Sequence, residues 1–444
     1  MAGLLGGVVR VLAEGLVRLY YPRRTIDGTE RIPAGKPVIF VLNHPNGLLD
    51  PLVLRVATGR PSRFLAKSSL FGNPLGRLAM NAFGSIPVYR PQESSRADVG
   101  RNEESFARCR SELSRGGALA LFPEGTSHSD PQLRPLKTGA ARIALSAEAE
   151  HDGALGVTIV PVGLAYDRKT TFRSSVLLVV GEPLAVAPLL AEYRRDERGA
   201  VASLTADIAA RLDAIVLQAE SRDLLAGIAR VARWTSAAPD DAASRHRRAR
   251  ELAAAYERLR GRNPARVEAV VAEVRGYWQT LRRLGVRDPW ALEMGAPRAG
   301  AMLAAVGRLA LAAPVALLGA LLSWVPYRLS GVVARRVTKD EDLLSTVKLL
   351  AGSLFLFVAW SAEAAAVGWW RGPAWALPAF GAAVSSGYVA LRFEELLRDG
   401  RAAWRALSMR AFHFNTARRL ADRRRALADA VARALDEESA TSAD

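Results

Sequence analysis

The stretch Val38-Ile39-Phe40-Val41-Leu42-Asn43-His44-Pro45-Asn46-Gly47-Leu48-Leu49-Asp50-Pro51 decides how the first half of the chain is read. The apolar run Pro37 to Leu42 reads as a strand buried on both faces, and Pro45, Asn46 and Gly47 end its extended course. His44 therefore stands on a turn at a strand end. Imidazole titrates near neutrality, so it can take a proton from an alcohol if a neighbour fixes its tautomer and stabilises its charged form. Asp50 can be that neighbour. Asp50 followed by Pro51 is also a helix start, an acidic N-cap with proline at the first helical position. The two readings are compatible, because one carboxylate oxygen can cap while the other accepts from the ring. On one continuous helix the two side chains would lie on different sides, so contact requires His44 to stand in the turn before the helix.

Working outward, the chain from about residue 30 to residue 187 alternates short β-type runs with helical ones, which predicts an α/β domain with helices covering a mixed sheet. The strands are expected at Val38 to Leu42, Arg63 to Lys67, Ser85 to Val88, Ala118 to Phe122, Val157 to Val162 and Val176 to Val180. Helices are expected at Asp98 to Ser114 and Thr138 to Ala149. Three further strand ends carry polar or glycine-rich segments: Gly84-Ser85-Ile86-Pro87-Val88-Tyr89-Arg90, Leu121-Phe122-Pro123-Glu124-Gly125-Thr126-Ser127-His128 with Leu136-Lys137-Thr138-Gly139 behind it, and Ile159-Val160-Pro161-Val162-Gly163. Tyr166 and Phe172-Arg173-Ser174 follow the last of these.

Four blocks in this order, Asn-His with a nearby Asp, Gly-x-Ile-Pro-Val-x-Arg, Phe-Pro-Glu-Gly-Thr and Val-Pro-Val-Gly, resemble the glycerolipid acyltransferase family over roughly residues 30 to 185. That family includes bacterial lysophosphatidate-forming and phosphatidate-forming enzymes and the fungal glycerol-3-phosphate/dihydroxyacetone-phosphate acyltransferases. The family pattern has four residues between histidine and aspartate, whereas five separate His44 from Asp50 here. The longer spacing, with an asparagine two residues after the histidine, is similar to the fungal glycerol-3-phosphate branch, as is the run Phe122 to His128 with its later Leu-Lys-x-Gly. The resemblance implies acylation of a hydroxyl of glycerol 3-phosphate or dihydroxyacetone phosphate, with lysophosphatidate or another lysophospholipid as the alternative acceptor. An inactive scaffold that uses the fold to hold lipid is the rival of another class.

Acyl transfer from a thioester to an alcohol needs a base, a grip on the anionic acceptor and help for the tetrahedral oxyanion. His44 is the expected base and Asp50 its orienting partner, as in a catalytic dyad. Acyl-CoA or acyl carrier protein serves as co-substrate, and no cofactor is expected because the thioester is already activated. Arg90 is the leading phosphate ligand, since a guanidinium fork matches phosphate oxygens. The family implies that Glu124 and Gly125 help form the acceptor site. Carboxylate beside phosphate is repulsive, so Glu124 is expected to bond a glycerol hydroxyl or to steady Arg90 and Lys137. Lys137 and Arg173 are expected either to assist with phosphate or to be solvated surface cations. His128 and Asp130 lack metal-ligand spacing, and no metal is expected. His151, His246 and His413 sit in polar or arginine-rich runs and read as solvent-exposed.

The whole chain of 444 residues carries a formal charge of +17 with 50% hydrophobic residues. Such a charge points to an anionic partner, either nucleic acid or an anionic membrane surface. No nucleic-acid module is evident and aromatics do not interleave with the basic runs, which leaves membrane phospholipid as the expected partner. The single Cys109 excludes an internal disulfide. Arg10, Glu14 and Arg18 interrupt the first apolar run, so it does not read as a signal peptide. An amphipathic helix lying on a membrane and a helix packed on the core both fit that run.

The expected organisation is an amphipathic N-terminal helix over 1–29, the acyltransferase domain over 30–187, an accessory helical region over 188–300, membrane-embedded segments over 301–395 and a basic helical tail over 396–444. Leu349 to Trp370 and Gly372 to Leu391 approach the roughly twenty residues that span a bilayer. Arg335, Arg336, Lys339 and Lys348 precede this pair and Arg392, Arg398, Arg401 and Arg405 follow it, so the positive-inside rule puts both ends of a hairpin in the cytoplasm and the enzyme on the cytoplasmic face of the inner membrane. Leu309 to Val325, shorter and interrupted by Pro314, is expected to be interfacial or re-entrant. Glu363 is expected to face protein rather than lipid.

Overall fold

The computed structural model describes residues 2–72, 74–89, 100–236, 238, 240–286 and 299–441. The chain falls into two compact units, the first made of Met1–Ala226, Ala237–Arg250 and Asp340–Thr346, the second of Gly227–Ser236, Glu251–Lys339 and Val347–Asp444.

The first unit is built on one eight-stranded mixed sheet. Its strands are β1 (Arg23–Asp27), β2 (Val38–Leu42), β3 (Arg63–Lys67), β4 (Ile86–Val88), β5 (Ala118–Leu121), β6 (Thr158–Tyr166), β7 (Ser175–Val180) and β8 (Leu184–Ala185). The order across the sheet is β1-β7-β6-β2-β5-β3-β4, with β8 pairing to β6. Only the β6 pairings with β7 and β8 are antiparallel; β2 runs parallel to both of its neighbours, β5 and β6. The helices are α1 (Ala2–Tyr20), α2 (Leu49–Thr58), α3 (Pro74–Ala82), α4 (Asn102–Ser114), α5 (Gly139–Ala149), α6 (Leu190–Arg195) and α7 (Glu197–Asp213).

All five residues of β2 are buried, as an apolar strand covered on both faces requires. Ile39 and Val41 turn into the cluster that includes Leu119 and Leu121 of β5, Leu113 of α4, Ile143 and Leu145 of α5 and Leu204 and Ile208 of α7. By strand alternation Phe40 and Leu42 turn to the other face. Cys109 lies in the same cluster, where burial pushes its thiol up to about 12 and keeps it an inert packing residue.

The chain leaves β2 through α2 for β3 on one side, and leaves β5 through α5 for β6 on the other. Ligands bind outside the carboxyl ends of the strands in open sheets of this kind. Asn43-His44 and Phe122-Pro123-Glu124 are the residues that emerge at this point. The sheet thus brings together two blocks far apart in sequence.

Most expected strands coincide with observed ones, but β6 continues to Tyr166, four residues beyond the expected end at Val162. The edge strand β1 was not expected: Arg23-Arg24-Thr25-Ile26-Asp27 has no apolar alternation and pairs along one side only, with β7. At the chain start, α1 buries Val17 against the unit while Val11 and Leu12 stay 68% and 62% exposed. The core-packing reading thus holds for the end of the helix near Val17.

Arg245-His246-Arg247-Arg248 is a helix segment whose histidine turns inward, contrary to the solvent-exposed reading. His246 Nε2 donates to the Ile215 carbonyl at 2.8 Å, while Arg247 pairs outward with Asp27 at 2.8 Å. Burial pushes the His246 imidazole below its ordinary value. A histidine depressed in the folded state is neutral in both states at high pH, and the unfolded chain takes up its proton first as pH falls through about 6.5.

The second unit is helical, and its long helices are α11 (Ala299–Val337), α12 (Glu341–Arg371) and α13 (Ala376–Phe412); α8 (Arg222–Thr235), α9 (Ala242–Arg262), α10 (Pro264–Arg283) and α14 (Phe414–Thr441) complete the chain. Three stretches, Val306–Val337, Leu343–Arg371 and Pro373–Arg398, are long and apolar enough to cross a membrane. The run Leu309 to Val325 is therefore not the short piece expected: α11 continues unbroken through Pro314 and Pro326, which leaves no re-entrant break. Glu363 Oε2 is buried with no partner, so at least one oxygen does turn away from the helix surroundings.

Helices α11 and α13 meet through small residues. A Cβ added at Gly319 would lie 1.9 Å from the Ser386 carbonyl oxygen, and one at Gly387 would lie 3.0 Å from Ser323 Oγ. Small residues at these positions let the two helix backbones approach closely.

Two outcomes follow from these contacts. Glycine to alanine in a helix ordinarily stabilises by about 1 kcal/mol, whereas Gly319→Ala should destabilise by about 2 kcal/mol through overpacking, read as a lower unfolding midpoint in detergent. Between pH 7 and pH 5 the wild type should lose stability relative to His246→Gln, which cannot titrate; parallel curves in thermal unfolding against pH would contradict the inward placement.

Candidate active site

His44 follows β2 by two residues, and its position is fixed through the main chain before its ring is considered. Asn43 clips the strand end to β6: its side-chain oxygen accepts from Leu164 N at 2.7 Å and its amide nitrogen donates to Leu164 O at 3.1 Å. The side chain thus replaces one rung of the ladder. The His44 N–H donates to Glu124 Oε1 at 3.0 Å, and the His44 carbonyl accepts from His128 N at 3.0 Å.

The ring Nδ1 lies 2.8 Å from Asp50 Oδ2. Asp50 is fully buried and His44 is 14% exposed. An ionised carboxylate can only accept, so Nδ1 carries the proton and the neutral ring presents a lone pair at Nε2. Phe122 stacks on the ring with centroids 3.9 Å apart and planes 19° from parallel, which fixes the ring's tilt.

Asp50 sits inside the first turn of α2 and does not cap it. Its oxygens go elsewhere: Oδ2 also accepts from Asn46 N at 2.8 Å, and Oδ1 accepts from the Tyr166 hydroxyl at 2.7 Å. Burial first, and then the Asp50 charge, push the Tyr166 phenol well above its ordinary value, so it remains a proton donor. Three donors converge on one buried carboxylate, and each charge-assisted bond contributes about 1.5 to 3 kcal/mol.

Glu124, expected to meet substrate or to steady cations, is instead consumed by the protein. Besides the His44 N–H on Oε1, its Oε2 accepts from Arg134 N at 2.9 Å and from His128 Nε2. His128 Nδ1 accepts from Asp130 N at 3.1 Å, so its Nε2 holds the proton that Glu124 receives. The carboxylate ties the loop after β5 to the loop after β2. Among the described residues no group of three or more His, Cys, Asp or Glu is placed to hold a metal ion.

Gly125 turns the chain with φ of 78°, and a Cβ there would lie 2.6 Å from Lys137 Cε. Lys137 thus lies across the turn that carries Glu124, its own N–H bonded to Pro123 O at 2.7 Å. The structure brings His44, Asp50, Glu124, Gly125 and Lys137 together through this chain of contacts. Arg173 lies on the connection from β6 to β7 with φ of 61°, its N–H bonded to Tyr20 O at 2.8 Å. Arg90 lies outside the described residues. A separate cleft of about 630 Å³ is lined by Arg31, Arg211, Arg247 and Arg250 but also by Asp27 and Asp207, and His44 is not part of it.

Residues 23–165 match the family model described as Acyltransferase. The match covers less than half of the chain. Over 125 residues the chain is 37% identical to the glycerol-3-phosphate O-acyltransferase 2 of Saccharomyces cerevisiae, covering 28% of this chain and 17% of that protein. Over 147 residues it is 31% identical to the chloroplastic 1-acyl-sn-glycerol-3-phosphate acyltransferase BAT2 of Brassica napus, covering 32% of this chain and 38% of that protein. The chain therefore spans well under half the length of these relatives. A solved structure of the 1-acyl-sn-glycerophosphate acyltransferase PlsC from Thermotoga maritima aligns with a TM-score of 0.29 and 20% identity, covering 41% of this chain and 67% of that one.

Several residues that shape the surroundings of His44 carried no role in the sequence reading. Phe122 and Asn43 lie within the recognised blocks, and adjacency to them was the available signal. Tyr166 lies three residues past Gly163 and would have needed the full length of β6 to be placed. Loss of the buried Glu124 carboxylate strands three donors, each at a cost of about 1 to 3 kcal/mol; Glu124→Ala should lower stability by about 3 kcal/mol or more, measured by denaturant unfolding, while a surface change such as Glu103→Ala should not.

Proposed function

We propose that this protein is a glycerolipid O-acyltransferase that moves a fatty acyl group from acyl-CoA or acyl carrier protein to a hydroxyl of glycerol 3-phosphate or dihydroxyacetone phosphate, on the route to phosphatidic acid. The observation that carries this reading is a histidine whose Nδ1 is committed to the buried Asp50 while Nε2 keeps its lone pair. In this reaction Nε2 takes the proton as the acceptor hydroxyl attacks the thioester carbon. The tetrahedral species collapses, the C–S bond breaks, and the departing thiolate takes that proton back from His44. An ester and a free thiol result, no enzyme-bound acyl group forms, and no cofactor is called for.

Lys137, lying over the Gly125 turn beside this histidine, is a cation near which an anionic acceptor would be held, and Arg90 keeps its place as the phosphate ligand that the family resemblance implies. Glu124 acts through the loops it joins. The preference for a first-acylation substrate is supported by the residue between Pro45 and Gly47: Asn46 lengthens the histidine-to-aspartate segment and gives Asp50 a backbone donor. The 1-acyl-sn-glycerol-3-phosphate acyltransferase named among the relatives supports lysophosphatidate as the second reading. The three candidate spans and the basic charge support action at a membrane surface, and the arginines flanking the second and third spans support a cytoplasmic-face reading.

Isolated membranes given labelled acyl-CoA and a panel of glycerol 3-phosphate, dihydroxyacetone phosphate and lysophosphatidate should yield lysophosphatidate or its keto counterpart. Phosphatidate formed only from lysophosphatidate would replace the first reading by the second. General-base catalysis contributes about 10²- to 10⁴-fold, so His44→Ala should lose at least about 100-fold in turnover; equal rates for both proteins would remove the enzyme reading.

A further inference from the structure

The stretch 23–165 that matches the family model leaves out several groups, before and after it, that hold its histidine. Asn46, whose N–H bonds Asp50, also donates from Nδ2 to the Tyr21 hydroxyl at 2.6 Å. Tyr21 has one proton to give, and gives it to the Lys169 carbonyl at 2.6 Å. The second lone pair of that carbonyl accepts from Ser345 Oγ at 2.7 Å. Ser345 is fully buried in the first turns of α12, within the segment Asp340–Thr346 that belongs to the first unit. Lys169 completes the circuit from its other end, where Nζ donates to the carbonyl of Pro45, the residue after His44, at 3.0 Å and bonds Ser129 Oγ.

We propose that Ser345 and Tyr21 are positioning residues for the His44 and Asp50 pair, so that the first turns of α12 form part of the catalytic unit. The Lys169 carbonyl has two acceptor sites and both are filled, one by each hydroxyl. With the Tyr21 proton spent there, its oxygen is left to accept from Asn46, which sets the Asn46 amide and the turn that carries it. Asn46 Oδ1 is buried without a partner, so this amide is held from its nitrogen side. The turn 44–50 is thereby braced from two directions, through Tyr21 on Asn46 and through the Lys169 ammonium on Pro45. A displacement of about 1 Å in a reacting group can cost about 100-fold in rate, so a brace of this kind acts on turnover rather than on acceptor affinity.

The turnover arm of the test rests on the function proposed above; the exchange arm does not. Full-length protein in detergent would be compared as wild type, Ser345→Ala, Tyr21→Phe and the conservative Ser345→Thr. The expected result is a fall in kcat of about tenfold for Ser345→Ala and for Tyr21→Phe with acceptor KM within about twofold, and recovery in Ser345→Thr. Amide hydrogen exchange over 44–50 should be faster in Ser345→Ala and Tyr21→Phe while exchange over 38–42 is unchanged, which separates a loosened turn from a misfolded domain. Wild-type kcat together with wild-type exchange over 44–50 in both hydroxyl-deletion variants would overturn the proposal. Absence of turnover in the wild type would count against the functional reading, and the exchange comparison would still decide this one.

Discussion

A carboxylate with no access to water is stable only where donors replace its lost hydration, and Asp50 is the place where this chain meets that condition. Its three donors come from two distant parts of the sequence: the His44 ring and the Asn46 backbone on the turn after β2, and the Tyr166 hydroxyl at the end of β6. Meeting them at once fixes the turn after β2, the first turn of α2 and the far end of β6 relative to one another. The same bonds that make the buried charge tolerable also choose the histidine tautomer. Stability and chemistry are served by one set of contacts, which is why the group cannot be treated as an ornament on a finished fold.

The sheet explains why these parts meet. β2 is parallel to both neighbours and apolar on both faces, so it can occupy only the interior of the sheet. Because β5 lies beside it and runs the same way, the carboxyl ends of the two strands stand next to each other. Polar residues placed there, Asn43 after β2 and Glu124 after β5, are buried and bond the main chain of neighbouring segments.

What could be read from the sequence follows from how local the determinants were. The β2 run, the breaker residues after it and the histidine on the turn are encoded within fourteen consecutive positions, and the structure reproduces them residue for residue. The Asp50 contact was readable for the same reason, since Pro45 and Gly47 permit the turn to fold back. Glu124 was misjudged because its partners, His44 N, Arg134 N and His128 Nε2, are set by two loops meeting in space. β1 escaped notice because an edge strand can form from a charged segment when a long apolar neighbour such as β7 supplies the template. His246 was misjudged because a run of arginines says nothing of which side of a helix turns toward Ile215.

The two buried carboxylates divide the work on one histidine. Glu124 accepts from its backbone N–H and, through His128, lies beside the group that bonds its carbonyl, so it sets where the residue stands. Asp50 bonds the ring, so it sets which nitrogen is free. Phe122 covers one ring face, which leaves rotation about the ring axis opposed by stacking as well as by the hydrogen bond. A base held only by its carboxylate could swing, and a proton transfer that needs the attacking oxygen, the base and the thioester carbon in one arrangement would lose much of its rate. Holding the residue at main chain, ring edge and ring face leaves Nε2 as the one reactive atom without an assigned bond among the described residues. That selectivity, more than basicity alone, is what would let an ordinary imidazole at a strand end serve the acyl transfer proposed for it.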